Sequence, residues 1–248
     1  MSKKAFTLVE LLVVISVISL LMAILMPALT KARQQSKAIV CLSNLRQLAI
    51  AAQTYVNNND GYYPIAYMYK FTNSEFISYA WDFTTIKDWT TLEQKVVPGL
   101  LWQGETIERI QQCPSFKGSD NWFADPYTGY NYNTSYIGHG QLETIVTPIR
   151  AVMVKSPSQC ALFGDGQYAG GANKFMRAPW PSEADASFFG RAAGTQGYRH
   201  LGKTNVVYGD GSSRAVAECY KNTDPAEVPN IADGTGFLSA DNSAHDLE

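Results

Sequence analysis

One acidic side chain stands in a long apolar run near the start of the chain. The run extends from Phe6 to Met26, and Glu10 is its only ionisable side chain. At about 1.5 Å of rise per residue it makes a helix of roughly 31 Å, the thickness of the hydrocarbon core of a bilayer. An intramembrane carboxylate is costly to bury alone and by default marks a functional site. We therefore expect a membrane-spanning helix whose acid needs a cationic partner; the alternative is an acid that snorkels to the headgroups.

A histidine and an aspartate stand ten residues apart near the C-terminus. His200 precedes Asp210-Gly211, which lies between two β-rich stretches of the segment 204–217. This pattern predicts a type I′ β-hairpin, in which both turn residues have positive φ. The histidine, the aspartate and a following serine could form a hydrolase triad, but there is no nucleophile elbow. We predict that the chain is not an enzyme, that it has no catalytic residue, and that His200 hydrogen-bonds across the hairpin base; metal ligation is the next option.

Four cysteines are spread along the chain, and none has C-x-x-C spacing: Cys41, Cys113, Cys160 and Cys219. Their spacing argues against a zinc ribbon or a thioredoxin-like site. In an oxidising compartment an even count predicts two disulfides, with three possible connectivities. A Cys41–Cys113 bridge would tether the long N-terminal helix to the globular head that follows it, and Cys160 and Cys219 would then pair. The alternative is free buried thiols that act as small hydrophobes.

The composition limits the function classes. The formal net charge is −2 and 17% of the residues are charged, so no broad basic surface for nucleic acid is indicated. With one membrane helix, 248 residues leave room for a single head of moderate size. The many aromatic residues after residue 61 predict short strands and packed loops. They could form a sugar-binding face, but a core role is the commoner one.

The secondary structure that positions these residues can be predicted from the spacing of the apolar residues and from turn and cap signals. After Pro27 apolar residues recur every three or four positions, which predicts that the helix continues, kinked, to about Asn57. The segment 57–61, Asn-Asn-Asn-Asp-Gly, supplies the stop because Asn and Gly tolerate the left-handed cap. Residues 90–97 predict a short helix capped by a threonine and closed by Pro-Gly.

The segment Ala5–Leu12, Ala-Phe-Thr-Leu-Val-Glu-Leu-Leu, resembles the processing site of type IV pilins and type II secretion pseudopilins. The resemblance implies that prepilin peptidase cuts between Ala5 and Phe6, that the new amino group of Phe6 is methylated, and that Glu10 aids assembly. Pro27 stands where many members carry a helix-kinking proline. The family prefers Gly before the cut, and this chain has Ala5.

Three further segments resemble landmarks of a subgroup of prepilin-like proteins. They are His200-x9-Asp210-Gly211, the run that begins at Cys41, and Cys113-Pro114-Ser115. Major pseudopilins resemble one another in a calcium-stabilised C-terminal loop, and the segment 233–243 carries Asp, Asn and Ser oxygen ligands. We expect no resident cofactor; Ca²⁺ in this segment is the alternative, and no metal ligand is assigned.

The resemblance implies an α+β ladle, in which a long kinked helix, its first half transmembrane, packs against a small antiparallel sheet. The expected division is 1–5 leader, 6–27 transmembrane and filament-core helix, 28–57 amphipathic continuation, and 58–248 head. The function implied is that of a pseudopilin that polymerises in a filament. Its partners would be prepilin peptidase, related subunits, an inner-membrane assembly platform and membrane lipid, but no nucleic acid. It would be a single-pass protein of the bacterial inner membrane, with its N-terminus in the cytoplasm and its head outside. The alternatives are a type IV pilin for adhesion or motility and a membrane-tethered carbohydrate- or peptide-binding module.

Overall fold

The computed structural model describes residues 7–102, 112–119, 129–188 and 194–248. In this part of the chain one long helix, α1 (Leu8–Asn58), is followed by a head of short strands. The strands are β1 (Tyr67–Phe71), β2 (Glu75–Ala80), β3 (Phe83–Asp88), β4 (Gln94–Pro98), β5 (Asn131–Asn133), β6 (Ala161–Gly164), β7 (Phe175–Met176), β8 (Gln196–Gly197), β9 (Thr204–Tyr208), β10 (Ser213–Val216) and β11 (Thr235–Gly236). Short 3₁₀ helices span Leu100–Trp102, Ala151–Met153 and Val228–Asn230, and a π-helix spans Thr134–Gly138.

The helix α1 ends where its sequence predicts. Asn59 is the C-cap, and the next two residues, Asp60 and Gly61, have positive φ angles of 51° and 80°. A left-handed backbone after the last turn ends the ladder of helical hydrogen bonds, and Asn, Asp and Gly adopt it at low cost. The helix runs without a break through Pro27. A single helix that joins the apolar and amphipathic segments is therefore confirmed.

Among the residues that the structure describes, those of the second half of α1 pack against the head. Its buried residues recur at helical spacing: Cys41, Asn44, Leu45, Leu48, Ala49, Ala52 and Val56. This face lies on β9, β6 and β10. Ile39 has the same apolar character but is 70% exposed. The packed interface thus begins at about residue 41, although the periodicity predicts an amphipathic face from residue 28.

The head contains two main sheets. The strands β1, β2, β3 and β4 form an antiparallel meander in chain order. A second sheet has the order β10-β9-β6-β5-β7, in which β5 and β7 are parallel and the other pairs are antiparallel. The strands β11 and β8 form a small antiparallel pair. The α+β architecture, a long helix packed against antiparallel sheet, is confirmed.

Aromatic rings fill much of the core between these layers. The rings of Trp81, Tyr132 and Phe163 are buried, with centroids 5.0–5.8 Å apart. Such tilted and offset pairs stabilise a core beyond the area that they bury. Other rings remain on the surface, where Phe71 is 70% and Trp89 is 45% exposed. The aromatic segment is therefore divided between core and surface.

The prediction of a helix at residues 90–97 is wrong. Asp88 Oδ1 accepts hydrogen bonds from the backbone N–H groups of Thr90, at 2.6 Å, and Thr91, at 2.8 Å, and closes a turn. Leu92 then has a φ of 60°, which no right-handed helix accommodates. The residues that follow form β4, which pairs with β3. The threonines that resemble a helix cap instead belong to the turn that joins β3 and β4.

The hairpin predicted near the C-terminus is confirmed, but its turn type is not. The strands β9 and β10 pair in antiparallel register. In their turn, all of which the structure describes, Gly211 alone has a positive φ, of 82°. The Gly211 N–H donates to Tyr208 O at 2.9 Å, and the Ser212 N–H donates to Asp210 Oδ1 at 2.8 Å. The connection is a three-residue loop with a glycine bulge rather than a type I′ turn.

Replacing Gly211 with alanine is expected to lower the free energy of unfolding by about 1 kcal/mol, because an L side chain is strained at this φ. No atom lies within 4 Å of an added Cβ, so only backbone strain contributes. Gly211→Asn should cost less, since Asn tolerates the left-handed region. Thermal unfolding of the full chain in detergent measures both. An alanine variant as stable as the wild type would contradict this view of the turn.

Candidate functional site

The first half of α1 presents an apolar surface that the described part of the chain leaves exposed. Large apolar side chains from Leu8 to Leu29 are exposed, for example 78% at Leu8 and 67% at Met26. The segment is long and apolar enough to cross a membrane. Unbroken apolar surface of this extent is unfavourable in water, so it must be covered by lipid or by other helices.

The hydroxyl groups in this segment are satisfied within the helix. Ser16 Oγ donates to Val13 O at 2.8 Å, and Ser19 Oγ donates to Ile15 O at 2.7 Å. Such back-bonding removes the need for water as a partner. The serines are therefore compatible with an apolar environment, and Glu10 remains the unusual polar group.

Glu10 lies in the first turn of α1 and closes a capping box with Thr7. The Thr7 N–H and Oγ1 both donate to Glu10 Oε2 at 2.8 Å, and the Glu10 N–H donates to Thr7 Oγ1 at 3.2 Å. This motif satisfies otherwise unpaired backbone donors at a helix start. The sequence did not predict this second use of the acid. Ala5 and Phe6, the predicted processing residues, lie outside the described residues.

A second group of functional side chains is buried where α1 meets the head. It comprises Cys41 on α1, Cys113 in a loop, Asp165 directly after β6, and His200 shortly before β9. Their sulfur, oxygen and nitrogen atoms all lie within 4.8 Å of one another. We call these four residues the buried cluster. Sequence positions more than 150 residues apart thus meet at one point.

The contacts within the buried cluster are specific. Cys41 Sγ donates to Asp165 Oδ1 at 3.0 Å, and His200 Nε2 lies 3.2 Å from Asp165 Oδ2. Cys113 Sγ lies 3.5 Å from His200 Nε2. Arg199 donates from Nε to Cys113 Sγ at 3.2 Å and from Nη2 to Asp165 Oδ1 at 3.1 Å. Every member therefore contacts a partner of complementary polarity.

The surroundings shift the pKa values of the cluster in opposite directions. Burial by itself raises the pKa of the Cys113 thiol, but hydrogen bonds from Cys41 and His200 outweigh it and lower the pKa to about 5. Burial and the Cys113 and Asp165 groups raise the pKa of Cys41. Burial opposes the charged form of His200, yet hydrogen bonds with Asp165 and Cys113 raise its pKa to about 9. The cluster thus favours a thiolate at Cys113 beside an imidazolium at His200.

The sequence predicts that His200 hydrogen-bonds across the hairpin base; in the structure its side chain contacts Asp165 and Cys113 instead. Asp210 is exposed in the hairpin turn, where it bonds the Ser212 N–H. Sequence reasoning missed Asp165. The signal was present, because Asp165 follows the apolar strand β6 directly and an acid there points to a site at the strand end.

The two predicted disulfides are not formed in this structure, in which all four cysteines are free thiols. Cys41 and Cys113 do meet, as part of the buried cluster. Cys160 Sγ instead donates to His245 O at 3.3 Å, and Cys219 Sγ donates to Thr235 O at 3.6 Å. Different backbone partners hold these last two thiols, one buried and one exposed.

The segment proposed for calcium, 233–243, is partly a strand. The residues Thr235 and Gly236 form β11, which pairs with β8. Asp241 Oδ1 accepts a hydrogen bond from the Ser243 N–H at 3.0 Å, as in a local turn. Calcium binding here stays a prediction.

The comparisons with known proteins concern the N-terminus. Residues 1–26 match a family model described as the prokaryotic N-terminal methylation motif. A search of curated proteins and a search of solved structures returned no match. The motif implies processing by prepilin peptidase and assembly with other pilin subunits. Taken together, the methylation motif, the long apolar helix and the antiparallel sheets against which it packs fit a type IV pilin-like family.

Proposed function

We propose that the chain is a pseudopilin of a type II secretion system or a related type IV pilus-like system. In this proposal prepilin peptidase removes residues 1–5, Phe6 is methylated, and the subunit is extracted from the inner membrane by an assembly platform. The head stays outside the cytoplasm, and the chain has no enzymatic activity. The observation that carries the proposal is the uncovered apolar half of α1. The same surface suits lipid before assembly and neighbouring helices afterwards.

Charge balance supports the role assigned to Glu10. Cleavage creates an α-amino group with an ordinary pKa of about 8, which is cationic at neutral pH. A carboxylate from a neighbouring subunit would offset this charge, and either group alone would be costly to bury. Glu10 lies in the first helical turn, four positions along the sequence from the terminus that cleavage before Phe6 would create. Each subunit then gains a favourable position only beside another subunit.

The first test is the N-terminus of the protein extracted from membranes. Intact mass and N-terminal sequencing should give a chain that begins at Phe6 and carries one extra methyl group. Ala5→Gly provides a matched control, because Gly is the residue that the family prefers before the cut, and it should be processed at least as fast. In a host without prepilin peptidase, the chain should still begin at Met1. A mature chain that begins at Met1 in the normal host would refute the proposal.

A second measurement separates the alternatives. Loss of the chain should stop secretion of exported proteins if it is a pseudopilin, and should remove surface pili if it is a type IV pilin. The exposed rings of Phe71 and Trp89 are the residues that a tethered carbohydrate-binding module would use. Glycan binding by the full chain, lost in Trp89→Ala and independent of Glu10, would favour that third function.

A further inference from the structure

We propose that Cys41, Cys113, Asp165 and His200 bind one zinc ion, which fastens the helix α1 to the head. The four donors are two thiols, a carboxylate and an imidazole, all of which are ligands that zinc uses in proteins. All four residues are buried. This inference does not depend on the function proposed above.

The separations within the buried cluster suit a tetrahedral ion. Zinc bonds of about 2.0–2.3 Å place neighbouring ligand atoms roughly 3.3–3.8 Å apart in a tetrahedron. The measured separations are 3.0 Å for Cys41–Asp165, 3.2 Å for His200–Asp165 and 3.5 Å for Cys113–His200. The remaining pairs lie within 4.8 Å. Shifts of a few tenths of an ångström in these three pairs, and of about 1 Å at most in the other three, would complete the site.

The charges also balance. Two thiolates and one carboxylate carry three negative charges, a zinc ion carries two positive charges, and His200 is neutral as a ligand. The excess negative charge is met by Arg199, whose guanidinium donates to both Cys113 Sγ and Asp165 Oδ1. A buried site of this composition is then electrically neutral, which removes most of the cost of burying its charges.

Hydrogen bonds from outside the four donors hold Asp165 and the supporting Arg199 in place. Asp165 Oδ2 accepts the Asn205 N–H at 2.7 Å, and the Asn205 side chain donates to Ala38 O of α1 at 3.1 Å. Arg199 also donates to Gly166 O at 3.3 Å and to Gly129 O. Partners of this kind orient the ligands of protein metal sites. Through Ala38, about one helical turn before Cys41, Asn205 gives the site a second link to α1.

A disulfide between Cys41 and Cys113 is the rival explanation for the two thiols. It would need sulfur atoms about 2.05 Å apart and would use neither a carboxylate nor an imidazole. The cluster contains both, and Asp165 and His200 contact each other as well as the thiols. Ligands for a metal account for all four residues, whereas a disulfide accounts for two.

Metal binding by the full chain in detergent tests the inference. The protein is reduced, stripped with a chelator, and titrated with Zn²⁺ or Co²⁺. We expect one zinc per chain by elemental analysis. Cobalt should give thiolate-to-metal charge-transfer bands and the intense visible bands of a tetrahedral site. Cys113→Ser should weaken binding by at least about 10–100-fold, the loss typical even of residues that only support a ligand. Cys219→Ser, at an exposed thiol outside the cluster, should bind as the wild type does.

Three results would overturn the inference. The first is a wild-type protein that takes up neither metal, a result that needs no variant to fold. The second is a Cys113→Ser protein that binds with unchanged affinity. The third concerns protein taken from cells without reductant and denatured with a chelator: two titratable thiols instead of four, with no zinc released, would show that a disulfide forms in its place.

Discussion

Replacing Glu10 with glutamine is expected to abolish filament assembly while leaving the helix start intact. Gln can take the place of Glu in a capping box, so the hydrogen bonds with Thr7 survive. The negative charge does not survive, and the new amino terminus of the neighbouring subunit loses its partner. Breaking a buried charge pair costs about 3–5 kcal/mol. At 1.4 kcal/mol for each factor of ten, the contact between subunits weakens by about a hundredfold or more.

Thr7→Ala is the matched control, because it removes the capping hydroxyl and keeps the carboxylate. It should assemble nearly as well as the wild type. Filaments sheared from cells are quantified against the subunit content of the membrane, and N-terminal sequencing verifies that each variant is processed. If Glu10→Gln assembles normally while Thr7→Ala does not, Glu10 acts only as a helix cap and the proposed assembly role is wrong.

Replacing Arg177 with alanine is expected to lower the free energy of unfolding by about 3–5 kcal/mol. The buried guanidinium lies between two buried carboxylates, with Nη2 2.8 Å from Glu143 Oε1 and Nη1 3.2 Å from Asp185 Oδ2. Burial alone opposes its charge, but both carboxylates outweigh this and raise the pKa of Arg177. Removing the arginine leaves two acids in the interior without their cation. The midpoint of thermal unfolding should fall by roughly 6–20 °C.

Two further variants sharpen this test. Arg150 is exposed and its guanidinium lies 4.9 Å from the ring centroid of Tyr62, so Arg150→Ala should cost less than about 1 kcal/mol. Adding Glu143→Gln to Arg177→Ala removes one of the stranded charges and should recover part of the lost stability. If Arg177→Ala and Arg150→Ala are equally mild, the buried charges do not hold this part of the head together. Near-UV circular dichroism of the full chain in detergent reports the transition.

The two halves of α1 have different physical tasks. The first half leaves its apolar side chains exposed, which suits lipid or a bundle of equivalent helices. The second half buries one face against β9 and β6 and carries Cys41 into the buried cluster. A rigid helix that is continuous between them would transmit the position of the head to the filament core. A metal at Cys41 would fasten the head at the N-terminal end of this packed face.

Local sequence pattern alone was sufficient to predict the long helix and one hairpin. Apolar periodicity and the stop after Asn57 predicted the end of α1 to within one residue, because helices depend on contacts three and four residues apart. The Asp-Gly pair predicted the β9–β10 hairpin, although neighbouring geometry selected a glycine bulge over a type I′ turn. The helix predicted at residues 90–97 failed because the same residues are held as β4 by pairing with β3, a contact that lies outside the segment.

The sequence by itself was enough to predict the helix that carries Glu10, its insertion into a membrane and its processing. All three depend on one contiguous stretch of residues. The buried cluster was decided only by tertiary structure. Cys41, Cys113, Asp165 and His200 have no short spacing in common, so no motif joins them. They meet because α1 packs against β6 and β9. The position of a cluster built from separate elements is set by how those elements pack, which no single element determines.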